Sequence, residues 1–194
     1  VLQLLEEHHL CAWSPDKHLR RQFVNDLSWH LRHLRQTQVC ILDGTKITDL
    51  SSVCSILEAQ LGTGRIAREI DSPLGVVGSL RRRPSPGGSE PIKSRYYIWS
   101  EAHQLLRRDP DLFGRLVDAL AGVAADEEYV SEDLLLLHRA VFVGGPSLDV
   151  YAEDPRGQFR RWWSDRGEPG FWQVRTGVAA PKLVSRSIEA LTGA

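Results

Sequence analysis

The chain has no methionine, only three cysteines among 194 residues and no large excess of charge. Cys11, Cys40 and Cys54 cannot all pair with one another, and no two stand at the Cys-x-x-Cys spacing of a zinc knuckle or redox dithiol. Each lies among apolar neighbours, so the expectation is buried free thiols in a reducing compartment, the cytoplasm. No apolar run approaches the roughly 18 residues of a membrane-spanning helix, and no membrane contact is expected. The opening VLQLLEEHHL places two acids and two histidines behind four apolar residues, so it does not read as a signal-peptide core. Lys and Arg number 24 against 25 Asp and Glu, a net charge of −1, which excludes a globally basic nucleic-acid binder. The sequence also lacks a Gly-x-Ser-x-Gly elbow, a Gly-x-Gly-x-x-Gly fingerprint and the Gly-Lys-Ser/Thr end of a P-loop. It therefore names no reaction, and no cofactor or metal is expected.

What remains is a globular composition. Hydrophobic residues make up 42% and charged residues 25%, enough apolar material for one large domain or one domain with appendages. The charge is balanced rather than absent: residues 62–108 hold 9 bases and 4 acids, whereas 109–154 hold 2 bases and 11 acids.

Periodicity organises the chain. A short helix is predicted near Leu2–Leu10. A longer one is predicted behind Ser14 as N-cap and Pro15 at the first helical position, with Leu19, Phe23, Leu27, Leu31 and Leu34 at helical spacing. VCILDG at 39–44 reads as a buried strand and turn, and Asp49 caps a helix carrying Leu50, Val53, Ile56, Leu57 and Leu61. SRYYIW at 94–99 is a second strand. Ser100 is the predicted cap of one helix, and Asp109 with Pro110 opens another. A third strand is expected at Arg139–Val143, stopped by Gly144 and Gly145, before a short helix from Pro146. The expected fold is α/β, a small three-stranded parallel sheet flanked by helices, with helical extensions at both ends. The expected organisation is an N-terminal helical extension over 1–36, a core over 37–152 with a flexible loop near 81–91, and an Arg/Trp-rich extension with a final helix over 153–194.

Two stretches carry a family likeness. LDGTKITDLSSVCSILEAQL resembles the opening of barstar-like proteins, and YYIWSEAHQLLRRDPDLFGRLVDALAGVA followed by AVFVGG resembles the remainder of that fold. The resemblance spans about 37–62 and 93–145. It implies a three-stranded parallel sheet and no catalysis, because barstar inhibits a basic ribonuclease by presenting acids from its second helix and the loop before it. The corresponding segment here, 62–83, holds Glu69 and Asp71 but also Arg65, Arg68, Arg81, Arg82 and Arg83. The inhibitory residues are not carried over.

The densest chemistry lies near the C-terminal end, in Arg156, Arg160, Arg161, Trp162, Trp163, Arg166, Phe171 and Trp172. Guanidiniums take phosphate or carboxylate and stack on indoles, so the set suits a nucleotide, single-stranded nucleic acid or an acidic partner. Alternatively the aromatics cover an open face of the core beneath the Arg stems. Gly144-Gly145-Pro146-Ser147, between a strand and a helix, offers free backbone N–H groups to an anion or serves as an ordinary turn. Gly62-Thr63-Gly64 is a weaker case of the same kind. His30 and His33 stand at a spacing that offers two metal ligands without a third nearby. The acids Asp126, Glu127, Glu128, Glu132 and Asp133 form a solvated turn or a face for a basic protein. The reading that follows is a noncatalytic protein with a barstar-like core that engages a macromolecular partner, another protein or a second copy of itself. Nucleic-acid binding through the Arg/Trp segment is the second reading. A small-molecule enzyme is the third, and it requires polar groups converging in one place.

Overall fold

A computed structural model describes residues 1–7, 9–61, 92–125, 137–154, 156 and 171–175. Five strands lie in it: β1 (His9–Trp13), β2 (Thr37–Asp43), β3 (Ser94–Ser100), β4 (Leu137–Gly144) and β5 (Phe171–Arg175). They form one sheet in the order β2-β3-β4-β1-β5, and every neighbouring pair is parallel. The helices are α1 (Leu2–Glu7), α2 (Lys17–Arg32), α3 (Leu50–Leu61), α4 (Ala102–Arg108), α5 (Pro110–Ala125) and α6 (Pro146–Glu153).

The class is the expected one, a parallel sheet flanked by helices, but the sheet exceeds three strands. β2, β3 and β4 are the predicted three. β1 joins them from the segment read as an N-terminal helical extension, and β5 pairs beyond it at the edge. His9–Trp13 is a short apolar run, and such a run does not reveal by periodicity whether it is helix or strand. Its neighbours settle the question: Leu10 to Trp13 pair with Val141 to Gly144 on one side, and His9 to Trp13 pair with Phe171 to Arg175 on the other.

Burial on both faces explains the strand sequences. Tyr96, Tyr97, Ile98 and Trp99 of β3 and Ala140 to Val143 of β4 are all buried, so these strands read as continuous apolar runs rather than alternating ones. Leu10, Ala12, Tyr96, Ile98, Val141 and Val143 face α1 and α2, packing on Leu5, Phe23, Val24, Leu27 and Leu31. Cys11, Cys40, Leu42, Tyr97, Trp99, Ala140 and Phe142 face the other way, toward α3 to α6. Right-handed crossovers require this division. The step from β1 to β2 runs opposite to the later steps, so its helix lies on the opposite face.

Local chemistry sets the helix starts. Asp16, not Ser14, caps α2: its Oδ1 accepts from His18 N at 2.7 Å, while Ser14 Oγ accepts from Asp16 N at 3.2 Å. The helix thus begins two residues later than Pro15 suggests. At α3, Ser52 N donates to Asp49 Oδ1 at 2.8 Å and Asp49 N donates to Ser52 Oγ at 3.2 Å, a reciprocal cap. Leu112 N donates to Asp109 Oδ1 at 2.9 Å ahead of α5. Ser100 ends β3 instead of capping α4, and Glu101 takes the cap position. The edge strand β2 is partly blunted, because the Gln60 side chain of α3 accepts from Ile41 N at 2.7 Å and donates to Ile41 O at 2.6 Å. Its carboxamide replaces a further strand at that residue.

Candidate functional site at the sheet switch point

The chain leaves β1 over one face of the sheet and leaves β4 over the other, and these strands are adjacent. Such a switch point, at the carboxyl ends of parallel strands, is where open α/β sheets place their ligands. In this protein Ser14, Arg20, Glu101, His103, Gln104, Gly144, Gly145 and Ser147 gather there.

Arg20 is the hub. It is 7% exposed, in the first turn of α2 on the side turned to the sheet. Its Nε donates to Glu101 Oε1 at 2.9 Å and its Nη2 to Glu101 Oε2 at 3.0 Å, a bidentate fork. Nη1 donates to Ser14 O at 2.7 Å and Pro15 O at 3.1 Å. The pair joins the segment leaving β1 to the segment leaving β3, across the end of β4 that lies between them. Ser14 N completes the join by donating to Gly144 O at 3.0 Å.

Glu101 reaches this position at a backbone cost. Its φ of 51° lies in the left-handed region, which a non-glycine residue enters at about 1–3 kcal/mol. Gly44, which donates to Ser100 O at 2.8 Å, lets the turn approach, since a β-carbon there would collide with the Glu101 carbonyl.

His103 stands beside the pair, 5% exposed, with Nε2 3.8 Å from Glu101 Oε2. Gln104 Nε2 lies 3.0 Å from the same ring nitrogen. Burial lowers the His103 pKa from its ordinary 6.5; Glu101 opposes that shift, and Arg20 and Arg107 reinforce it. The unfolded chain therefore takes up this proton more readily than the native one. The stability His103 contributes is complete above the unfolded pKa and is lost as pH falls through the lower native value. Urea unfolding between about pH 7 and pH 5 should show a falling midpoint, and His103→Gln should fall less. An equal fall in both would exclude His103 as the cause.

The structure separates the residues singled out from the sequence. Gly144-Gly145-Pro146-Ser147 does link a strand to a helix, and it lies in this site. Arg156 is exposed at a turn, and Phe171 and Trp172 belong to β5, with Trp172 paired to Leu10. Arg160, Arg161, Trp162, Trp163 and Arg166 lie outside the described residues, as do Gly62-Thr63-Gly64, the acids of 126–133 and the predicted final helix. His30 and His33 donate from Nδ1 to the carbonyls of Asp26 and Trp29 at 2.8 and 2.6 Å, on the C-terminal part of α2. Cys11 and Cys40 are fully buried; burial pushes the Cys40 thiol up to about 11 and the Cys11 thiol higher still. These thiols are poor nucleophiles.

Sequence reasoning missed Arg20, Glu101 and His103, because Arg20 stands 81 residues before Glu101 and 83 before His103. Only the Ser-Glu-Ala-His run directly behind an apolar strand marked Glu101 and His103, and nothing marked Arg20. Compared with known proteins, the chain matches no family model, and no curated protein is significantly similar to it.

Proposed function

We propose that this is a noncatalytic α/β binding module with a barstar-like core, and that it engages a protein partner through the outer face of α2. The observation that carries the reading is the closed switch point. Where a parallel sheet would hold a reacting ligand, Arg20 directs its donors to Glu101 and two backbone carbonyls, so the guanidinium is a brace and not a substrate clamp. What supports the barstar-like core is that β2, α3, β3, α4, α5 and β4 follow in the order the resemblance implies.

The outer face of α2 has the composition of a contact surface. Trp29 is 59% exposed and Leu34, just past the end of α2, 43%, and Arg32, His33 and Arg35 are exposed close to them in sequence. Trp29 is held in place by neighbouring rings, at 4.2 Å between centroids from His33 and 4.9 Å edge-on from His30. An exposed tryptophan held by two neighbouring rings, with Arg32 and Arg35 exposed close to it in sequence, fits the buried anchor of an interface with an acidic partner. The His33 ring already covers part of the indole, which favours protein contact over base stacking.

The test is partner capture by the immobilised chain, followed by direct titration of the captured protein. Trp29→Ala is expected to weaken that binding by about 30-fold or more, as anchor truncations do. Equal binding by the variant, binding of oligonucleotides in place of protein, or turnover of a substrate at the switch point would each overturn the reading.

A further inference from the structure

β2 ends the sheet, and among the described residues its outer edge is guarded at one residue only. Successive residues of a strand turn their backbone groups to opposite sides. Gln36 O accepts from Ser94 N of β3 at 3.1 Å, so the even-numbered residues of β2 bond inward, and Thr37, Val39 and Ile41 present N–H and C=O outward. The Gln60 carboxamide takes both groups of Ile41, at 2.7 and 2.6 Å. Among the described residues, nothing takes those of Thr37 and Val39. The strand is half-buried at Thr37, Gln38, Val39, Ile41 and Asp43, so its edge reaches solvent. Natural edges are commonly defended by charged side chains or proline, and TQVCIL at 37–42 has neither. Gln60 is itself exposed, and its carboxamide stands where a peptide group of one more strand would lie.

Another strand fits such an edge, and the charges at the two ends of β2 select which. A second copy related by a two-fold axis pairs β2 with β2 antiparallel. With Val39 at the axis, Thr37 of each copy faces Ile41 of the other, and the outward N–H and C=O groups of all three residues find partners. The same register brings Arg35, exposed just before β2, to the end of the opposite strand where Asp43 stands. Asp43 spends Oδ1 on Thr45 N and Oγ1 at 3.0 and 2.7 Å, which leaves Oδ2 to accept from the arginine. The match occurs twice across the axis, and opposite charges facing each other across strands are stabilising. We propose that the β2 edge is a self-association surface, on which two copies join their sheets antiparallel once each Gln60 carboxamide leaves Ile41. It is separate from the Trp29 contact on α2 and does not rest on it.

Sedimentation velocity of the full chain over a wide concentration range, at low salt, is the experiment. A reversible monomer–dimer equilibrium is expected. Gln60→Ala frees Ile41 without altering the strand and should tighten the dimer by about tenfold or more, because the carboxamide bonds no longer have to be broken. A glutamine with a purely structural role gives no such gain. Val39→Pro removes one outward donor and no bond to β3, and should leave the chain monomeric throughout. Arg35→Glu sets two carboxylates against each other at both ends and should weaken the dimer by about tenfold. Trp29→Ala should leave it unchanged. A monomer at every concentration in both wild type and Gln60→Ala, a dimer indifferent to folded Val39→Pro and Arg35→Glu, or a dimer lost with Trp29→Ala would each overturn the proposal. Should Val39→Pro fail to fold, Arg35→Glu and Gln60→Ala decide, since both residues are exposed and lie outside the strand. Failure to capture a partner on α2 has no bearing on this result.

Discussion

Arg20→Met is expected to remove about 3–5 kcal/mol of stability, because it leaves the Glu101 carboxylate buried without its cation. The side chains of this pair are 8% and 15% exposed, so water does little to compensate the orphaned charge. Two carbonyls, Ser14 O and Pro15 O, lose their donor in the same step. The reciprocal change, Glu101→Met, should cost a similar amount by stranding the guanidinium. Replacing both with methionine should cost far less than the two single losses together, since two apolar groups require no partner. Urea unfolding of the four proteins measures the coupling. If the double variant is as unstable as the sum of the singles, the two residues act separately and the brace does not exist.

Phe142→Ala is the second large effect, expected at about 3–5 kcal/mol for a buried aromatic. Phe142 is 0% exposed on β4, between β3 and β1. Its ring lies 5.6 Å from Trp99 and 5.8 Å from Phe113, centroid to centroid. The indole of β3 and the phenyl of α5 thus converge on one strand residue, and a cavity there cannot collapse without moving both. Calorimetry or urea unfolding checks the figure. A loss below about 1 kcal/mol would mean that α5 does not pack on the sheet as described.

Much of this architecture was legible in the sequence, and the reasons are local. The stripe Phe23, Leu27, Leu31 and the cap residues Asp49 and Asp109 act within a few residues of where they stand, so α2, α3 and α5 were found close to their limits. β2, β3 and β4 announced themselves as apolar runs bounded by turns. β1 did not, because five residues lying between a short helix and a helix cap hold no period of their own; only pairing with β4 and β5 makes them a strand. The caps at Ser14 and Ser100 were misplaced for a related reason. Both serines have the right chemistry, but Asp16 competes for the first, and the bidentate reach of Glu101 to Arg20 decides the second. The candidate site was the least legible feature, since Arg20 looks like any cation on an amphipathic helix until the fold brings Glu101 to it. The turn Gly144 to Ser147 could be seen, because glycine and proline mark a strand-to-helix turn wherever they fall, although its neighbour His103 could not.

On the proposed function, the switch point is a structural brace while recognition resides on α2. The direct measurement is the affinity of the captured partner for the folded Arg20→Met/Glu101→Met double variant, set beside wild type and Trp29→Ala. The double variant is expected to bind within about twofold of wild type, and Trp29→Ala to lose binding by about 30-fold. A folded double variant that loses the partner, with Trp29→Ala binding normally, would contradict it.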